Sequence, residues 1–135
     1  MFRSMGVAAV LALGVIVAPA SSAQQDEVSV AATKIYDSCR SNQKGSPAEC
    51  SCVAGFYSGA MKEDEFRMMS AISIFIDKEG NVPDMAGAQA ATEAERIKQG
   101  MSAERFAEVM NSFAVVGERG PYADRICGAL ANKSE

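Results

Sequence analysis

Four cysteines, at positions 39, 50, 52 and 127, constrain the fold of this chain more than any other feature. In an oxidising compartment an even set of cysteines indicates disulfides, and four cysteines allow three pairings. The stretch ECSCVAGFYSG places Cys50 and Cys52 one residue apart. On a helix these side chains point roughly 200° away from each other, so a bond between them would be strained. Each is therefore expected to pair with a distant cysteine.

The surroundings of these two cysteines favour one of the two remaining pairings. Cys52 shares a helical stripe with Phe56, so we expect it to point into the core. Cys50 lies at the start of the same helix, near the turn that leads back to Cys39. We therefore predict a Cys39–Cys50 disulfide and a Cys52–Cys127 disulfide. The alternative joins Cys39 to Cys52 and Cys50 to Cys127.

The first 23 residues have the order of a secretory signal peptide. Arg3 precedes an apolar run, Met5–Ala18, and the small residues Ala20–Ala23 follow Pro19. The run has 14 residues, short of the roughly 20 that span a bilayer. We predict cleavage after Ala23, leaving one helical domain over 24–135 with no membrane span. The alanine-rich leader suggests a bacterial protein, periplasmic or secreted.

Missing residue types exclude several classes of function. The chain has no histidine, which removes Ser–His and Cys–His catalysis, histidine-ligated metals and covalent c-type haem. Its net charge of −4 argues against nucleic acid and anionic lipid as partners. We therefore expect no enzyme activity and no cofactor.

Apolar residues recur at steps of three and four along most of the chain, which predicts an all-α bundle of five to six short helices. Ser46 and Pro47 have the types that cap and open a helix, and the acidic run Glu63–Glu65 is typical of a first turn. The following stripe, from Phe66 to Ile76, predicts a helix that continues to Gly80. The alternating isoleucines of AISIFID permit a strand, but they extend this helical stripe.

Three further helices are expected after Gly80. A weakly apolar stripe predicts a peripheral helix that Gly100 stops. A stronger stripe after Ser102 predicts a central helix that ends at Gly117, and Pro121 opens a last helix. The two expected stripes are Ala86, Ala90, Ala94, Ile97 and Met101, and then Phe106, Val109, Met110, Phe113, Val116 and Gly117.

Three functional hypotheses remain open. The first is a non-enzymatic protein that binds or assists another protein of the cell envelope. The second is a thiol-redox or copper-handling protein built on Cys50 and Cys52, with soft sulfur ligands from Met61, Met68 and Met69. The third is a carrier of a small apolar ligand. Its cavity would be lined by Phe66, Met69, Phe106, Met110 and Phe113. A calcium loop at Asp77–Asp84 is rejected because the required glycine and glutamate positions hold Val82 and Ala88.

Overall fold

The computed structural model describes residues 22–131. Most of the predicted signal peptide therefore lies outside the described residues. Within them the chain forms five α-helices and no strand, which confirms the all-α prediction. The helices are α1 (Ser22–Ser41), α2 (Pro47–Ala60), α3 (Glu63–Ser73), α4 (Met85–Lys98) and α5 (Ala103–Ala131).

Helices α1 and α2 form a hairpin whose turn is closed by a capping box. The Ser46 side chain accepts a hydrogen bond from the Glu49 backbone N–H, and the Glu49 carboxylate accepts one from the Ser46 N–H. Two otherwise unpaired donors of the first turn are satisfied in this way, and Pro47 takes the first helical position. The predicted start of α2 is confirmed.

Helix α3 begins at Glu63 as predicted but ends at Ser73, seven residues before Gly80. The prediction of a helix through this segment is wrong, and the described backbone there contains no strand either. Asp77 explains the difference, because its carboxylate accepts hydrogen bonds from the backbone N–H groups of Glu79 and Asn81. An aspartate that binds nearby backbone donors stabilises a turn in competition with a helix.

Helix α4 buries a different face from the one that its sequence predicts. Ala88 and Thr92 are buried, whereas Ile97 is 65% exposed. The other members of the predicted stripe within α4, Ala86, Ala90 and Ala94, are also exposed. The side chain of Thr92 can be buried because its hydroxyl donates to the Gln89 carbonyl, which satisfies its polar group locally.

Helix α5 is a single long helix rather than two short ones. It runs through Gly117, Gly120 and Pro121, where the sequence predicts a break. The predicted start is confirmed, because the helix begins at Ala103 and the Ser102 hydroxyl accepts a hydrogen bond from the Arg105 N–H. The side chain of Val116, expected in the apolar stripe, lies outside the described residues.

Two separate apolar clusters form the core. The first contains Ala31 and Ile35 of α1, Ala54 of α2 and Phe66 of α3. The second contains Met68 of α3, Met101 before α5, and Val109 of α5, with Phe106 and Phe113 packed against it. Helix α3 contributes to both clusters, so it is the central element of the fold, a place that the sequence assigns to α5.

Candidate functional site: a cavity beside the buried disulfide

The cysteines form the pairing that the sequence favours. Cys39 is bonded to Cys50, and Cys52 is bonded to Cys127, each with a Cα–Cα distance of 5.5 Å. Among the described residues no cysteine is free. The reasoning about side-chain direction was wrong, however. Cys50 is fully buried, whereas Cys52 is only half-buried, so the cysteine at the helix start points further inward.

The Cys39–Cys50 disulfide is covered by the turn between α1 and α2. Gly45 is buried there, its N–H donates to the Cys39 carbonyl, and its own carbonyl accepts from Arg40 Nη1 at 2.6 Å. A Cβ atom on Gly45 would lie 2.7 Å from Cys50 Sγ and 2.8 Å from Cys39 Sγ. Only glycine therefore allows the turn to pack this closely. Thiol exchange requires access to a sulfur, so this bond is suited to a structural role.

The residues of the redox and copper hypothesis are not brought together. Cys50 and Cys52 belong to different disulfides, so the strained bond on which that hypothesis depends does not form. Met68 is fully buried in the second cluster, whereas Met61 and Met69 pack against the first. Within residues 22–131 there is also no group of three or more histidine, cysteine or acidic side chains placed to hold a metal ion.

A cavity of about 620 Å³ lies between the helices. Helices α1, α2, α3, α4 and α5 all contribute to its wall, as does the segment between α3 and α4. Its apolar lining residues are Ile35, Val53, Tyr57, Met69, Ile72, Ile76, Val82, Met85, Ala88, Met110 and Phe113, and the Cys39 half of the buried disulfide borders it. Ligand pockets in proteins commonly have volumes of about 300–1,000 Å³. The cavity is therefore the right size for a small molecule.

The predicted cavity residues are divided between this wall and the core. Met69, Met110 and Phe113 line the cavity, as the third hypothesis requires. Phe66 and Phe106 do not, because they belong to the first and second apolar clusters. The hypothesis missed Ile76 and Val82, which line the cavity from the segment after α3. The sequence contains no signal for Ile76, because it continues the predicted helical stripe of α3.

The hydroxyl groups in the wall are engaged with the backbone. Ser38 donates to the Ser73 carbonyl, Ser73 donates to the Ser70 carbonyl, and Thr92 donates to the Gln89 carbonyl. A hydroxyl that donates to a local carbonyl carries little cost when it is buried. The hydroxyl groups of Ser38, Ser73 and Thr92 therefore leave the wall around them largely apolar towards a bound molecule.

Helix α4, the outer wall of the cavity, has defined contacts near both of its ends. At its C-terminal end, Arg67 of α3 pairs with Glu95 at 2.9 Å. At its N-terminal end, Asp84 caps the helix by accepting from the Gly87 N–H at 2.8 Å. A Cβ atom on Gly87 would lie 2.7 Å from Phe75 Cε1, so that ring packs closely against the helix backbone.

The comparisons with known proteins do not assign the site. No protein-family model matches the chain, and neither a curated protein nor a solved structure matches it significantly. Within residues 22–131, no helix has the length and apolar character needed to cross a membrane.

Proposed function

We propose that this chain is a small exported, non-enzymatic protein that carries a slender apolar molecule in the cavity between its helices. The cavity, about 620 Å³ in volume and largely apolar, is the observation that supports this function. An ordinary core would close around these side chains. Here Met110 is still 37% exposed, and Met69 and Phe113 are only half-buried.

The expected affinity follows from the apolar wall. Each buried methylene group contributes about 0.8 kcal/mol, so a ligand chain with about ten of them gains roughly 8 kcal/mol before the costs of association. That gain corresponds to a dissociation constant no tighter than about 1 μM. Binding at this strength is reversible, which suits a carrier. The partner expected in the cell envelope would supply or receive the ligand.

The proposed location outside the cytoplasm rests on two features. Both disulfides are compatible with an oxidising compartment. The N-terminal sequence has the order of a signal peptide that is cut after Ala23. Sequencing the N-terminus of the protein recovered from the periplasm or medium of a bacterial host should give Gln24, and retention of residues 1–23 would contradict export with cleavage.

Titration with the neutral fluorescent probe N-phenyl-1-naphthylamine tests ligand binding. We expect saturable binding with one site. Met110→Asn should weaken it about tenfold, because an amide replaces apolar surface in the wall. Ile97→Asn is the matched control, since Ile97 is 65% exposed and does not line the cavity. Equal effects of the two substitutions, or no saturable binding, would contradict the proposal.

A further inference from the structure

The exposed residues that line the cavity, here called its mouth, are mostly polar, although Met85 and Met110 are also exposed, at 56% and 37%. Lys78, Glu79 and Gly80 line the cavity and are exposed, and Gln43 and Gln89 are exposed lining residues on the elements around them. The apolar lining residues Ile35, Val53 and Met69, by contrast, are buried or half-buried. A bound amphiphile would therefore direct its chain inward and its head group towards these polar residues.

Among the described residues that line the cavity, the one cation is Lys78, and it already has a carboxylate partner. The charged lining residues are Asp77, Lys78 and Glu79, which together carry one net negative charge. Lys78 Nζ is paired with Glu79 Oε1 at 3.3 Å. Asp77 Oδ1 is engaged by two backbone N–H groups of its own turn. An anionic head group would meet two carboxylates and a lysine that already has a partner.

Two side-chain amides at the mouth are suited to an uncharged head group. Gln43 and Gln89 each offer a donor and an acceptor. Among the described residues, no hydrogen bond engages either side-chain amide. A hydroxyl, ester or amide on the ligand can exchange hydrogen bonds with such groups without requiring a compensating charge.

We infer that the ligand is an apolar chain with an uncharged hydrogen-bonding head group, and that the acidic mouth disfavours fatty carboxylates and phosphate-bearing lipids. This inference rests on the proposed function, because it assigns the ligand class of the same cavity. Asp77 and Glu79 together outweigh Lys78 at the mouth, and Glu79 is the more exposed of the two acidic residues. Its carboxylate is 56% exposed, so it can be changed without disturbing the core.

Competition between matched compounds tests the inference. Bound N-phenyl-1-naphthylamine is displaced at pH 8 and low ionic strength by dodecanol or dodecanoate, each kept below the concentration at which it aggregates. We expect dodecanol to bind at least about fivefold more tightly, the effect of one nearby like charge in a solvated mouth. Higher salt should narrow this ratio, because ions screen exposed charges.

Moving dodecanoate from water into any apolar cavity has a cost that does not depend on the charges at the mouth. Two charge-reversal variants distinguish this cost from repulsion by the mouth. Glu79→Lys removes one negative charge and adds one positive charge, so it should lower the alcohol-to-carboxylate affinity ratio by about 25-fold. Glu104→Lys makes the same change of charge at an exposed position of α5 that does not line the cavity, and it should leave the ratio unchanged.

The possible results distinguish the carrier function from the assignment of an uncharged head group. Dodecanoate binding as tightly as dodecanol, or equal ratios in the two variants, overturns the head-group assignment while probe binding still supports a carrier. Absence of saturable probe binding overturns the carrier function and the head-group assignment with it.

Discussion

The disulfide-linked helices and the outer helix α4 are held by different kinds of interaction. Helix α2 is bonded to α1 through Cys39–Cys50 and to α5 through Cys52–Cys127. Helix α4 packs mainly on α3, and two ion pairs, Arg67–Glu95 and Lys98–Glu27, also attach it to its neighbours. The cavity lies between these two regions, so one wall is covalently fixed and the other depends on polar contacts.

The largest expected loss of stability comes from removing the two disulfides that link α1, α2 and α5. Replacing Cys52 and Cys127 with serine should lower the free energy of unfolding by about 4.5 kcal/mol, since this bond closes a loop with a sequence separation of 75. Replacing Cys39 and Cys50, with a separation of 11, should cost about 3 kcal/mol. Urea denaturation measures both. A larger loss from the shorter loop would show that packing around Gly45, rather than loop closure, dominates.

Two glycine substitutions test how closely the turn between α1 and α2 packs on the Cys39–Cys50 disulfide. Gly45→Ala should destabilise the protein by about 1–3 kcal/mol, because the new methyl group would press on both sulfurs of the buried disulfide. Gly55→Ala is the control within α2, where nothing lies within 4 Å of the added Cβ. That change should stabilise the protein by up to about 1 kcal/mol. Thermal unfolding distinguishes the opposite signs, and equal shifts would contradict the close packing of the turn.

The polar attachment of α4 is tested through Glu95. Glu95→Ala removes the partner of Arg67 and of the Gln99 side chain, and should cost about 1 kcal/mol. The loss should appear as faster amide hydrogen exchange within α4, while exchange in α1 and α2 stays nearly unchanged. Glu93→Ala is the matched control, because Glu93 pairs with Arg96 on the solvent side of the same helix. Uniformly faster exchange in all helices would show that α4 does not open separately.

The smallest expected effect is a dependence of stability on acid. Arg105 donates two hydrogen bonds to the Asp64 carboxylate, at 2.7 and 3.0 Å, and this lowers the pKa of Asp64 below its ordinary value. The stabilisation is complete above the unfolded-state pKa, near 4, and is lost as the pH falls through the lower folded-state pKa. Because the pair is partly exposed, Asp64→Asn should remove at most about 1 kcal/mol of stability at neutral pH. Denaturation curves from pH 7 to 2.5 should converge for the variant and the natural protein.

Local signals in the sequence predicted much of the disulfide-linked part of the fold. The Ser46 cap and Pro47 start α2 as expected, and the spacing of the cysteines led to the disulfides that the structure contains. The helix start depends on residue types within a few positions of each other, and the exclusion of a Cys50–Cys52 bond depends only on helix geometry. They are therefore readable without knowledge of the tertiary structure.

The region around the cavity was predicted less well. Its apolar side chains could either fill a core or line a cavity, and both give the same sequence pattern. Ile76 continues the helical stripe of α3, yet in the structure it lies beyond the helix and lines the cavity. In α4 the alanines gave a weak pattern, and the buried face includes Thr92, whose hydroxyl is satisfied within its own helix. Periodicity cannot distinguish a side chain that fills a core from one that borders a cavity.

The Cys52–Cys127 bond also closes most of the chain into a covalent ring. Most of α2, the whole of α3 and α4, and most of α5 lie inside that ring. A protease that cuts one exposed peptide bond in the segment between α3 and α4 would open the ring without releasing a fragment. Both walls of the cavity would therefore stay in one covalent molecule after a single cleavage in this segment.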